Sequence, residues 1–311
     1  MEKVPFGKTN LSVSKLCFGT LTCGPLQAKM KIADAVSVME HAWDRGINFF
    51  DSAELYGTQG YIGNLPPHIR HSAVITTKSY SDTKDKMTES VEKSLREMRL
   101  DAIPIYLLHE QETEMTFMGH KPALETLLDF KHRGLIKSVG VSTHTIEITK
   151  LARSYPEIEV IFPMFNLEGW GIKDGTQEQM EQEVKLNYQA GLGVYLMKVL
   201  AGGKLLHRAR EAIEYGRDFP YSHSVAIGMK DKTEVDYNIA LFENREPDAK
   251  ISEVRRKMLV SFWCEGCGEC VKACPQNAIS IVDGRASIDP NKCVLCTYCV
   301  GCCPKEALRV I

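Results

Sequence analysis

Cys264-Glu265-Gly266-Cys267-Gly268-Glu269-Cys270-Val271-Lys272-Ala273-Cys274-Pro275 returns 29 residues later as Cys293-Val294-Leu295-Cys296-Thr297-Tyr298-Cys299-Val300-Gly301-Cys302-Cys303-Pro304. Each copy follows C-x2-C-x2-C-x3-C-P, and the likeness runs on, with Ala278-Ile279 returning as Ala307-Leu308. Packing alone gives no reason for thiols at these intervals. Thiolates are soft ligands, and a run of this spacing supplies three cysteines to one four-iron cluster and its fourth to the other. The spacing therefore predicts a small domain with two 4Fe-4S clusters. Cys264, Cys267, Cys270 and Cys303 are expected around one, and Cys293, Cys296, Cys299 and Cys274 around the second.

Zinc is the main competing reading, because paired C-x2-C also builds tetrahedral zinc sites. Those sites take two knuckles of two ligands each, whereas here three cysteines stand in a row before x3-Cys-Pro. Disulfides need an oxidising compartment, and residues 1–30 show no charged start, apolar run and small-residue cleavage site of a secretory signal. Cys302 falls outside the repeat and is expected to be a buried or neighbouring thiol. Cys17 and Cys23 are far away in sequence and are expected to pack as small apolar residues.

Working outward, nine of the eleven cysteines lie after residue 263. The charged stretch Glu243-Asn244-Arg245-Glu246-Pro247-Asp248, broken by Pro247, is a plausible joint. The expected organisation is a domain over 1–248, a connecting helix over 249–262 with Ile251, Val254, Met258 and Leu259 on one face, and the cluster domain over 263–311. The 311 residues carry a net charge of −2, so composition offers no basic surface for nucleic acid. No apolar run approaches the roughly 20 residues that cross a bilayer. These features predict a soluble, cytoplasmic chain with no membrane or nucleic-acid partner.

The first 248 residues alternate between short apolar runs and amphipathic stretches. The runs are Leu16–Phe18, Asn48–Phe50, Ala73–Thr77, Ile103–Leu108, Ser138–Val141, Val160–Phe165, Gly193–Met197 and Ser224–Ile227. One amphipathic stretch sets Met87, Val91, Leu95 and Met98 on a face; another sets Leu124, Leu127 and Leu128. Runs that are apolar on both faces suit the buried strands of a parallel sheet. Eight such units in about 250 residues match a closed (β/α)8 barrel. An open doubly wound sheet is the alternative, although no G-x-G-x-x-G turn follows the first run.

Active sites of such barrels gather at the C-terminal strand ends. There the sequence places Asp51, Lys78, His109, Ser142, Asn166, Lys198 and Gly228, with Tyr56 shortly after Asp51. Asp51, Tyr56, Lys78 and His109 together can deliver a proton. A tyrosine hydroxyl titrates near 10 in water, and an adjacent ammonium is expected to lower that value. The carboxylate would hold the lysine, and the histidine would position a carbonyl.

These residues also carry a resemblance. Asn48–Gly57, Thr76-Thr77-Lys78 and Leu107-Leu108-His109 resemble the Asp-Tyr-Lys-His tetrad of the aldo/keto reductases. Gly140-Val141-Ser142, Asn166, Met197-Lys198 through Ala201-Gly202-Gly203-Lys204-Leu205, and Gly228-Met229-Lys230 through Asn238 fall where that family has nucleotide-binding segments. The whole chain resembles the members that carry a C-terminal ferredoxin-like domain with two clusters. The resemblance implies an α/β (β/α)8 TIM barrel followed by a small α+β dicluster ferredoxin-like domain. It also implies reduction of a small carbonyl substrate by NADPH, with Tyr56 as general acid, Asp51 and Lys78 tuning it, and His109 orienting the carbonyl. The cofactor contacts it implies are Ser142, Asn166, Met197, Leu200, Gly228, Lys230, Glu234 and Asn238.

The chain departs from the family pattern near the nicotinamide. Thr143 follows Ser142, Phe162 stands where the family has Gln, and Val199 follows Met197-Lys198 where many members have Pro. Nicotinamides deliver hydride while clusters pass single electrons, and no flavin signal joins the two modes. Three readings follow: an NADPH-dependent carbonyl reductase, a cluster-fed reduction at the same site, or an electron carrier whose barrel is a scaffold. In each, the clusters could meet an electron-transfer partner protein.

Overall fold

The computed structural model describes residues 1–248, 250–251 and 256–310. All eight predicted runs form strands: Leu16–Gly19, Phe49–Asp51, Val74–Ser79, Ile103–Gln111, Ile136–Thr143, Val160–Pro163, Gly193–Leu196 and Ser224–Gly228. Each pairs in parallel with the next in sequence, and the last pairs with the first, which closes the barrel and excludes the open doubly wound sheet.

Side chains alternate across a strand, so the barrel has two cores. Cys17, Phe49, Ile105, Leu107, Val160, Phe162 and Tyr195 fill the inside, while Leu16, Phe18, Phe50, Ile75, Tyr106 and Leu108 face the helices. The helix Lys84–Met98 shows how the outer layer forms. Thr83 accepts a hydrogen bond from the Lys86 N–H and caps it, Met87, Val91 and Met98 are buried, and Arg99 ends it in a left-handed turn with φ of 52°. Burying each such side chain contributes roughly 1.5–3 kcal/mol. An N-terminal hairpin, Lys3–Pro5 with Ser12–Ser14, closes the far end of the barrel. Its Phe6 is fully buried, 5.6 Å from the Phe49 ring and 6.1 Å from the Tyr195 ring.

After the barrel, the predicted connecting helix is corrected over its last part: Met258–Val260 is a strand, paired antiparallel with Leu308–Val310. Its apolar residues read as a helix face in the sequence, but the chain end supplies a strand that uses the backbone instead. Residues 249 and 252–255, including Val254, lie outside the described residues. The remainder of the small domain is a hairpin, Ile279–Val282 with Arg285–Ile288, and two short helices, Glu269–Lys272 and Tyr298–Gly301.

The small domain sits on the C-terminal mouth of the barrel. Gly202 has φ of 68°, and a Cβ there would lie 2.2 Å from the Val294 carbonyl oxygen; a Cβ on Gly171 would lie 2.6 Å from a Val294 methyl. Lys173 Nζ donates to the Pro275 carbonyl at 2.8 Å, and Lys204 Nζ donates to that of Pro290. Among the described residues no helix is long and apolar enough to cross a membrane.

Candidate active site and thiol cavities

Period-two alternation carries the inward face of each strand up to the mouth. Phe49 points inward, and so does Asp51 two residues on; Val74 leads to Lys78, and Ile105 and Leu107 lead to His109. Lys78 Nζ lies 2.8 Å from both Asp51 carboxylate oxygens and donates to the Ser52 carbonyl at 2.6 Å. Tyr195 donates to Asp51 Oδ1 at 3.0 Å. The Lys78 ammonium stands 4.8 Å from the centre of the Tyr56 ring, and Tyr56 meets His109 edge to face at 5.7 Å. The four predicted residues line one cleft.

Glu110 breaks the alternation. The register of Ile103–Gln111 against Ile136–Thr143 shifts between Leu108 and Gln111, and Glu110 has φ of 51°. Such a bulge turns two consecutive side chains to one side, so His109 and Glu110 both line the cleft. Glu110 accepts from the Tyr80 hydroxyl and lies 2.9 Å from His144 Nδ1. Tyr80 stacks on His109 at 4.3 Å. On its other side, His144 Nδ1 is 2.9 Å from the Gln276 side-chain amide of the small domain. Sequence reading missed Tyr80, Glu110, His144 and Gln276. A glutamate continuing a fully apolar strand run was the available signal.

Burial sets the protonation of the site. It raises the Asp51 carboxyl and lowers the Lys78 ammonium, while each partner's charge opposes the shift on the other. Tyr56 corrects an expectation: its hydroxyl is pushed well above 10, by burial first and then by the hydroxyl of Tyr298 and the negative charges around it. Lys78 is spent on Asp51 and the Ser52 carbonyl, so Tyr56 stays protonated. Burial, aided by Lys78, holds His109 well below its ordinary 6.5. Its Nδ1 is buried and has no hydrogen-bond partner among the described residues. For Glu110, burial works upward but His144 overrides it and holds the carboxyl low. Burial also lowers His144.

A pH prediction follows from the histidines. Their folded values lie below 6.5, so under that pH the unfolded chain binds more protons and stability drops as pH falls. Thermal melts between about pH 7 and pH 5 are expected to show this slope, and His109→Gln is expected to flatten it. Equal slopes in both proteins would mean that His109 is not held neutral.

The predicted nucleotide contacts divide. Ser142, Met197, Leu200, Gly228, Glu234 and Asn238 line the same cleft as the tetrad, and Asn238 Oδ1 is buried without a partner among the described residues. Ser142 Oγ accepts from the Glu110 N–H at 2.8 Å. Asn166 does not line the cleft: its side chain bonds the Trp170 carbonyl at 2.8 Å and the Trp170 N–H at 2.9 Å, folding its own loop. Lys230 lies outside it too, with Nζ 3.5 Å from Glu234 Oε1. Phe162 lines the cleft without an amide, stacked on Tyr195 at 3.8 Å. Two small-domain residues complete the lining, Leu295 and Tyr298.

The thiols gather in two cavities. Cys264, Cys267, Cys270 and Cys303 line one, and Cys274, Cys293, Cys296 and Cys299 the other, so each takes three cysteines from one copy and the fourth from its twin. Backbone N–H groups of Ala278 and Ala307 donate to Cys274 and Cys303 sulfurs at 3.4 and 3.3 Å, and Ala286 donates to Cys264 at 3.4 Å. Such bonds favour thiolate, and the recurring alanines that donate them are buried, Ala278 at 2% and Ala307 at 0% exposure. Four thiols around a small cavity with N–H donors to sulfur fit a four-iron cluster. Cys302 lines neither cavity and donates to the Cys299 carbonyl at 3.4 Å. Cys17 and Cys23 are buried in the barrel, as expected of small apolar residues.

Comparison with known proteins places the two parts. Residues 15–257 match the family model described as the aldo/keto reductase family, and residues 263–307 match a 4Fe-4S dicluster domain. The chain is similar to the Bacillus subtilis (strain 168) protein named Uncharacterized oxidoreductase YrpG, at 32% identity over 66% of this chain and 68% of that protein. It is similar to Uncharacterized oxidoreductase YqkF of the same organism at 25% identity over 54% of this chain, an alignment that spans only 57% of that protein's length. Among solved structures, the fold resembles the holo form of an aldo-keto reductase from Bacillus halodurans, with a TM-score of 0.66 and 20% identity over 79% of this chain and 92% of that one.

Proposed function

Since the chain belongs to the aldo/keto reductase family, we propose that it is an iron–sulfur oxidoreductase that reduces a small aldehyde or ketone at the barrel mouth, with Tyr56 donating a proton and electrons arriving through the small domain. One observation carries this reading: Leu295 and Tyr298, which flank Cys296, line the same cleft as Asp51, Tyr56, Lys78 and His109. Cys264, Cys267, Cys270 and Cys303 would hold one cluster, and Cys274, Cys293, Cys296 and Cys299 the other. Bound four-iron clusters would supply electrons one at a time; a carbonyl takes two electrons and two protons to become an alcohol, the proton on oxygen from Tyr56 and the one on carbon from solvent.

The chain's own residues supply the proton and the orientation. Tyr56, kept protonated by burial, offers its hydroxyl hydrogen to the carbonyl oxygen. Lys78, 4.8 Å from the centre of that ring, offsets the negative charge left as the proton departs. Asp51 and the Ser52 carbonyl hold Lys78 in place. Neutral His109, with Nδ1 unpartnered, orients the carbonyl oxygen.

A second reading keeps the same acid but takes hydride from NADPH. The unpartnered Asn238 Oδ1 beside Gly228 and Glu234 in the cleft favours it. At the nicotinamide end the fit is poor: Ser142 lines the cleft but its Oγ is engaged by the Glu110 N–H, and Phe162 stands there without an amide. Val294 packs against Gly202, inside a segment the family uses for nucleotide.

Anaerobic assays with methylglyoxal as the probe carbonyl separate the readings. Reduced methyl viologen is expected to drive turnover and NADPH to drive little. Turnover with NADPH that survives removal of iron would overturn the cluster-fed reading and establish the second. Iron and acid-labile sulfide are each expected near eight per chain; zinc without sulfide would end both cluster assignments.

A further inference from the structure

The two copies of the cysteine phrase share a backbone but not a surface. In the first copy Gly266 and Gly268 have φ of 65° and 81°; their counterparts Leu295 and Thr297 have φ of 52° and 69°. A side chain in that region is strained, so the second copy accepts strain at two positions where the first uses glycine. The other positions diverge in the same sense. Glu265 and Glu269 are exposed, whereas Val294 is buried and Tyr298 half-buried. The second copy is therefore shaped to be covered, and what covers it is the barrel mouth.

Two loops of the second thiol set also reach one barrel carboxylate. Tyr298 lines the cleft together with Glu110, whose Oε2 accepts from the Tyr80 hydroxyl. On the other side, the Gln276 amide stands 2.9 Å from His144 Nδ1, itself 2.9 Å from Glu110 Oε1. Glu110 follows His109 in the bulge, and Tyr80 stacks on the His109 ring at 4.3 Å. A buried carboxylate is costly unless it is fully partnered. No lysine or arginine bonds this one among the described residues, and its partners are Tyr80 and His144.

We propose that Glu110 is a positioning residue that couples the second thiol set to His109, and that Tyr298 is a wall of the substrate pocket contributed by the small domain, so that one active site is shared between the two domains. The inference rests on the reading that this thiol set holds a cluster. Coupling of this kind is reciprocal: a change at Glu110 is felt at the second cluster, and the first, whose cavity holds exposed Cys267, is insulated from it.

The test is an anaerobic redox titration of the full-length protein carrying both clusters, followed by electron paramagnetic resonance. In Glu110→Gln and in Tyr298→Phe, the midpoint and signal of the same single cluster are expected to move while the other cluster holds. Viologen-driven reduction of methylglyoxal is expected to fall roughly 10–100-fold in both. Glu159→Gln removes the same charge at the opposite, N-terminal end of the barrel, from a carboxylate that pairs with Lys131, and is expected to leave both clusters unmoved. Two unshifted clusters in Glu110→Gln would overturn the proposal, as would an equal shift in Glu159→Gln. A wild-type protein that binds no cluster refutes the underlying reading instead, so the two failures are distinct.

Discussion

Tyr56→Phe is expected to lower carbonyl turnover by about 10²–10⁴-fold while the chain folds and melts as before. The ring keeps its surroundings in the variant: the Lys78 ammonium 4.8 Å from its centre and the edge of His109 at 5.7 Å. Only the hydroxyl is lost, and with it an acid beside Lys78 and His109 that burial keeps protonated at neutral pH. Steady-state rates with reduced viologen, beside a thermal melt and a cluster absorbance spectrum, check this. Turnover close to wild type would remove Tyr56 as the donor. It would also favour a barrel that serves as a scaffold for an electron carrier.

Lys78→Met is expected to cost about 3–5 kcal/mol of stability. Lys78 and Asp51 have side chains only 1% and 5% exposed, so the substitution strands a carboxylate with Tyr195 as its remaining side-chain donor. Chemical unfolding of the two proteins measures the difference. The double change Asp51→Leu, Lys78→Met is expected to recover much of the loss, because removing both charges leaves no orphan. A double variant less stable than Lys78→Met would show that the pair contributes more by attraction than it costs by dehydration. Either single change also disturbs the positive charge beneath Tyr56, so activity falls with stability.

Much of this was legible in the sequence because it depends on period. Runs such as Ile103–Leu108 are apolar on both faces, and only a doubly covered strand needs that. The same period carries Phe49 to Asp51 and Leu107 to His109, so the tetrad could be read as a shared mouth before any contact was known. The bulge at Glu110 was not legible, since it depends on register against a neighbouring strand. Met258 and Leu259 looked helical because apolar residues in a short segment satisfy either period; Leu308–Val310, a distant segment, decided it. The direction of the Tyr56 shift also depends on assembly. Proximity of a lysine argued downward, but the covering domain and the Asp51 bond argued upward and prevailed. Aligning the two cysteine copies could have exposed Leu295 and Tyr298, because Gly266 and Glu269 stand in their places.

The lid of glycine and valine at Gly202 and Val294 has a consequence for the order of biogenesis. The inner cavity is walled by Val294 and Gln276, and both press on the barrel. On the cluster reading, iron and sulfide bound for that cavity would have to enter before the small domain seats on the barrel. The outer cavity carries the exposed Cys267. Exposure to air is therefore expected to bleach the outer centre first, with the inner one outlasting it in electron paramagnetic resonance.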